Sequence, residues 1–418
     1  MLNLFKENKM FRFLLGYQVF SGLGGGVFSI FMLLSVHLIY QTPMYTGIAA
    51  FLMAAPQIAA FAVGPMIDRK NKPRIMRITT LLEFLVLATL VVVPFQELFG
   101  VWFMFAALFI YSVAALFEQP AGTAFLPKIV EDDKIVVANS AIDIAALSGG
   151  VIIAVSLFAA LGNDIDFRYI YAVSAAFLGL AFIFGLFLKE SNAEKEQKKP
   201  DFKKYIGDLK EGAKFIRESI LIYITIVVLV MVFAIEIASV NIPAFAEYHV
   251  GAQGYIVIAM MSLIGGILAS GFIGTVGKKF SVGKLVVILL IIQGVLRVIY
   301  VMVLPLHMIG GFAILVFYGM MGSSIGILFQ SLRQKLPPKD MVGRVATINT
   351  TLVAILVALG SLAGGFLGTI VPVVDHILIY QGAAYILFGI IVLCMPAIRK
   401  LPPINNIERH GGEEDEQQ

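Results

Sequence analysis

The sequence predicts an all-α membrane protein of twelve transmembrane helices in two six-helix repeats. Three observations carry this reading. Of 418 residues, 59% are hydrophobic and 14% charged, against roughly a half and a quarter in soluble domains. Apolar runs long enough to cross about 30 Å of hydrocarbon, about 20 helical residues each, recur along the chain. Nearly all basic residues fall in alternate connections between those runs.

The runs lie near 13–40, 44–67, 75–96, 101–119, 135–161, 168–188, 219–245, 254–276, 284–304, 308–330, 345–371 and 377–398. They are numbered here span 1 to span 12. Helices are required because lipid cannot satisfy open backbone groups. The first run is too long for the apolar core of a signal peptide, so it reads as a retained span. A single cysteine, Cys394, excludes an intramolecular disulfide and with it a disulfide-stapled secreted fold.

Basic residues set the orientation. Of the 31 lysines and arginines, all but Arg168 and Arg297 precede span 1, follow an even-numbered span or end the chain. The positive-inside rule then places both termini in the cytoplasm of a multi-pass cell-membrane protein. A missed helix would invert every later loop, so the alternation also checks the span count.

Residues 1–188 form an N-terminal six-helix half and 219–398 a C-terminal one. A linker, 189–218, joins them, and 399–418 is a cytoplasmic tail ending in the acidic run Glu413–Glu416. The halves read as repeats: Pro127 recurs as Pro337, Asp133 as Asp340, and the basic loop at Arg69-Lys70 as Lys278-Lys279. Such symmetry is expected of transporters with a central site at the repeat interface. In the linker, Phe202, Tyr205, Ile206, Leu209, Ala213 and Ile216 step by three and four, with lysines off the stripe. This predicts an amphipathic helix on the cytoplasmic leaflet.

The most specific motif is Gly64-Pro-Met-Ile-Asp68-Arg69-Lys-Asn-Lys72-Pro-Arg74, between spans 2 and 3. A glycine near a helix end permits close packing, a carboxylate at the boundary faces a neighbouring helix N-terminus, and the basic residues hold the turn inside. The segment resembles the signature loop of the major facilitator superfamily, Gly-x-x-x-Asp-Arg-x-x-(x)-Arg/Lys. The resemblance implies that Asp68 docks at the start of span 11, here Gly343-Arg344-Val345, and latches one state of an alternating-access cycle. Gln18-Val-Phe-Ser21-Gly-Leu-Gly24, Phe117-Glu-Gln-Pro120-Ala121 and Ala138-Asn139-Ser140 are similar to the macrolide-efflux branch of that superfamily. Two departures stand out. Many relatives carry an acidic residue where this chain has Gly25, and the span 5 antiporter pattern is reduced to Ser148-Gly149-Gly150.

The resemblance implies that spans 1, 4, 7 and 10 line a central cavity. Tyr17, Gln18, Phe233 and Tyr318 are then candidate substrate-lining residues. Ionisable groups inside spans are costly in lipid and mark function. Glu236, Glu118 and Asp143 are the candidates for proton coupling, with Glu236 best placed in depth. Glu83 reads as a packing or gate contact, and Arg297 as a side chain snorkelling outward from a peripheral span. The five histidines, at 37, 249, 307, 376 and 410, have no metal-ligand spacing and read as interfacial.

No phosphate loop, nucleophile elbow or zinc-protease motif is present. Transport must then run on a gradient or downhill. The expected protein is not an enzyme and takes no cofactor and no metal. It is expected to be a monomer that exports a hydrophobic or amphipathic small molecule, such as an antibiotic, and the resemblance to the macrolide-efflux branch implies exchange for protons. Its partners are that substrate, protons and the lipid bilayer, with no nucleic acid. Alternatives are a facilitator or importer, a lipid flippase, and a membrane enzyme or sensor.

Overall fold

The computed structural model describes residues 8–67, 70–93, 100–131, 134–135, 138, 142, 166–189, 202–277, 279–338 and 341–407. Among them, 11 helices are long and apolar enough to cross a membrane, and there is no strand. Span 5, expected at 135–161, lies almost wholly outside the described residues.

Local chemistry sets many of the boundaries. Span 1, Lys9–Tyr40, begins where the Asn8 side chain accepts the Phe11 N–H at 2.9 Å. It ends where Gln41 adopts φ 51° and donates its N–H to the His37 carbonyl. Asn71 likewise caps span 3, Lys72–Val92. Asp166 caps span 6, Phe167–Leu186, and His307 caps span 10, Met308–Lys335.

Proline interrupts spans that sequence periodicity reads as continuous. Span 2 runs Pro43–Ala54, tightens to a 3-10 turn over Ala55–Ala59 around Pro56, and resumes over Ala60–Ile67. Proline lacks the N–H and crowds the preceding turn. Span 7 is helical over Leu221–Ser239, breaks, and is followed by Ile242–Val250 with Pro243 in its first turn. Asn241, 1% exposed, fills the break. Its Nδ2 donates to the carbonyls of Ile237 and Gly364, each at 2.9 Å, so a side chain takes over pairing that the helix gives up.

The chain forms two compact units. In unit 1, Met1–Gln41 with Ile48–Pro200, span 1 packs along span 6, and span 3 along both span 6 and span 4, Gly100–Phe125. Unit 2 comprises Thr42–Gly47 with Asp201–Gln418. There span 7 packs on span 11, Val342–Ile370, and span 8, Gly254–Val276, on span 10. Span 9, Val282–Val303, packs on span 10 and on span 12, Val374–Leu393. Span 9 therefore meets spans 10 and 12 as span 3 meets spans 4 and 6, the pairing expected of repeated six-helix halves. Spans 9 and 12 approach backbone to backbone. A β-carbon on Gly382 would stand 2.8 Å from the Gly294 carbonyl oxygen, so small residues allow this contact.

The linker forms a helix, Phe202–Glu218. It does more than lie on a leaflet: one face docks on the start of span 11, and Ile216 is buried in the core of unit 2. On span 3, Ile78, Leu81, Leu82, Leu85 and Val92 are exposed and make an apolar stripe. That stripe is the surface lipid would cover.

Candidate functional site

Unit 1 carries a polar cluster inside its membrane spans. Helical spacing puts Tyr17 and Ser21 on one face of span 1, and Thr80 and Glu83 on one face of span 3. The Ser21 Oγ donates to Glu118 Oε1 at 2.6 Å. The Tyr17 hydroxyl shares a hydrogen bond with Thr80 Oγ1 and donates to the Met76 carbonyl at 3.2 Å. Glu83 is 1% exposed, and its Oε1 has no hydrogen-bond partner. Glu83, Glu118 and the Tyr17 and Tyr111 hydroxyls lie within electrostatic range of one another. Neither carboxylate has an ion-pair partner among the described residues. The arrangement is a buried acid and a half-buried one in one cluster, with hydroxyls around them and, among the described residues, no cation between.

Some sequence expectations change here. Tyr17 is fully buried and turned into span 3, so it backs the wall of unit 1 and does not line a cavity. Gln18 is half-buried, its amide set directly against Gly122 of span 4. Glu83, expected as a packing or gate contact, lies on the face of span 3 that carries Thr80, beside the Glu118 cluster. The available signal was an acid three residues after Thr80 on one face of span 3. At Gly25, a β-carbon would lie 3.2 Å from the Tyr111 hydroxyl. Tyr111 thus occupies the space into which an acidic residue at that position would grow. Asp143 lies outside the described residues.

In unit 2, Glu236 is half-buried and its Oε2 accepts from Ser239 Oγ at 3.1 Å. Its stem packs against Gly360 of span 11, beside Phe233. Spans 7 and 11 are also joined by the Thr225 hydroxyl, which donates to Asn349 Oδ1 at 3.0 Å.

Arg297 does not snorkel. It is 2% exposed, with Cζ 4.9 Å from the ring centre of Tyr318 and 5.6 Å from that of Tyr300. Among the described residues it has no ion pair, and its Nε has no hydrogen-bond partner. Gln293 Oε1, Tyr300 Oη and Gln381 Oε1 are likewise buried and unpaired. Sequence reasoning missed this group because it assigned Arg297 to the wrong face of span 9. Tyr318, half-buried on span 10, covers it.

Of the loop motif, Asp68 and Arg69 lie outside the described residues. Lys72 is 2% exposed, at the first helical residue of span 3, whereas Arg74 is exposed. A β-carbon on Gly64 or Gly343 would meet nothing within 4 Å, so close packing does not require glycine at Gly64 as expected. Arg344 pairs with Asp208 and Glu211 of the linker helix. The histidines are more structural than interfacial: His37 is buried, His307 caps span 10, and His249 Nε2 lies 2.8 Å from Asp375 Oδ1. His410 lies outside the described residues. Among the described residues, no three His, Cys, Asp or Glu side chains converge as a metal site.

The Major Facilitator Superfamily model matches residues 13–361. No curated protein matches the sequence. A nucleoside transporter structure is similar at TM-score 0.74 and 12% identity, covering 92% of this chain and 100% of that one. A structure from proton-dependent oligopeptide transporters is similar at TM-score 0.65 and 15% identity, covering 94% and 99%. The xylose transporter of E. coli is similar at TM-score 0.64 and 14% identity, covering 92% and 94%. At these identities the likeness speaks to fold, and the cargoes of those proteins differ from one another. The match over most of the chain, with the membrane-spanning helices and their repeated pairing, shows that this multi-pass membrane protein belongs to the major facilitator superfamily and is a transporter rather than an enzyme.

Proposed function

We propose that the protein exports a hydrophobic or amphipathic small molecule across the cell membrane in exchange for protons, by alternating access between its two halves. The observation that carries the proton-coupled part is the Glu83–Glu118 cluster: a buried acid and a half-buried one in one unit, with no cation paired to either among the described residues. Two carboxylates in one largely buried site are costly when both are charged. Such a pair holds a proton while closed from water and releases it when the site becomes wet. Ser21 orients Glu118. Glu236, whose side chain has Ser239 as its one hydrogen-bond partner among the described residues, is the second candidate carrier. The likeness of Gln18–Gly24 and Phe117–Ala121 to the macrolide-efflux branch supports an antibiotic-like cargo.

Sensitivity profiling of a deletion strain against an antibiotic panel identifies a cargo to use in proteoliposomes. Glu118→Gln and Glu83→Gln should still exchange that cargo down its gradient and lose accumulation driven by an imposed proton gradient. If both variants and Glu236→Gln accumulate normally, or an uncoupler leaves the wild type unaffected, proton antiport is wrong. A second reading, a facilitator or importer of a small anionic solute, is favoured by the unpaired Arg297 guanidinium in unit 2.

A further inference from the structure

At the basic end of span 3, a groove of about 490 Å³ opens beside the first turn of the helix. Lys70 and Arg74 stand on its rim, and Ile75, Ile78 and Phe117 form its floor. Both basic side chains are exposed. Neither makes an ion pair or a side-chain hydrogen bond among the described residues. Ile78 is 57% exposed and continues into the stripe of Leu82 and Leu85 that faces lipid. The groove therefore has two cations free of partners among the described residues, at the level where a span meets water, and an apolar floor open to the hydrocarbon side.

We propose that this groove is a binding site for an anionic phospholipid. The phosphate sits between Lys70 and Arg74, and the upper acyl chain lies along Ile78 and Phe117. Charge complementarity and position select this occupant. A free phosphate would use the rim and leave the apolar floor wetted. A protein partner would have to descend below headgroup level to reach Ile78. Setting span orientation, the ordinary role of loop cations, needs charge alone and no groove. Basic pockets at helix ends hold anionic headgroups by this combination. The site lies outside the Glu83–Glu118 cluster, so it stands or falls separately from proton coupling.

The test uses the purified full-length chain in detergent, with retained lipid counted by native mass spectrometry. Phosphatidylglycerol is compared with phosphatidylcholine of the same acyl chains. Two cations near the surface predict roughly a thirtyfold preference for phosphatidylglycerol. Lys70→Gln with Arg74→Gln should bring the ratio close to one. Ile78→Trp, which fills the floor and keeps both charges, should cut retention severalfold. It sits at a lipid-exposed position, so it decides the question even if the double variant fails to fold. Equal retention of the two lipids by the wild type, an unchanged ratio in the double variant, unchanged retention in Ile78→Trp, or full displacement by inorganic phosphate would each overturn the proposal.

Discussion

Arg344 Nη1 lies 2.6 Å from Glu211 Oε2, and its Nη2 lies 3.0 Å from Asp208. The two acids are three residues apart on the linker helix and so share a face. One guanidinium at the start of span 11 thereby holds two points of the connection between the halves. The resemblance of the loop after span 2 directs attention to Asp68 as the partner of this region. In unit 2, the linker already engages its arginine.

Arg344→Ala should free the linker helix without unfolding unit 2. Each ion pair is partly exposed, and such pairs contribute about 0–1 kcal/mol. Hydrogen exchange over residues 202–218 should rise while spans 7 and 11 keep their protection. Unchanged exchange in the linker would show that the buried stripe around Ile216 is sufficient by itself.

Gly382→Val should destabilise the protein by about 1–3 kcal/mol or more, because the new side chain meets the Gly294 backbone. Gly271→Val, at a position with nothing within 4 Å, should stay within about 0.5 kcal/mol. Melting of the two variants in the same detergent checks this. Equal behaviour would mean that spans 9 and 12 are not in backbone contact.

Arg297→Met should stabilise the fold and harm transport. Replacing buried ionic groups with apolar ones of similar volume is neutral or stabilising by about 1–4 kcal/mol. A guanidinium without a counter-ion has more to gain than a paired one. A higher melting temperature with lost cargo binding would mark Arg297 as functional. A lower melting temperature would show that its stacking on Tyr318 and Tyr300 outweighs its burial.

The orientation read from the basic residues is open to labelling. Cys394 is exposed and must first be replaced, by Cys394→Ala. A membrane-impermeant thiol reagent should then modify Tyr248→Cys, at a position 77% exposed, in intact cells, and should spare Lys400→Cys. The opposite pattern would invert the topology.

The spans were legible because each apolar run is about as long as a bilayer demands or longer, and lipid leaves the backbone one choice. The break at Pro243 was not legible as an end to span 7. Asn241 satisfies it through Gly364, more than a hundred residues away, and no local window contains that partner. Glu118 could be picked out as a costly charge, but its neighbour Glu83 depends on the register of span 3 against span 4. Arg297 failed for a related reason. Hydropathy locates a span, but where every face is apolar it does not say which face turns inward.

The position of Glu83 after the cap Asn71 is the position of Gln293 after Ser281, and Arg297 follows Gln293 by one turn. In descent from a duplicated six-helix ancestor, the same structural slot would have become acidic in one copy and amide-lined, beside a permanent cation, in the other. Under the proposed proton coupling, the first core changes its charge with the proton supply, whereas the guanidinium of the second stays charged at every pH a cell meets. Under that coupling, a voltage across the membrane acts on the two halves unequally, and the size of that inequality changes each time unit 1 gains or loses a proton.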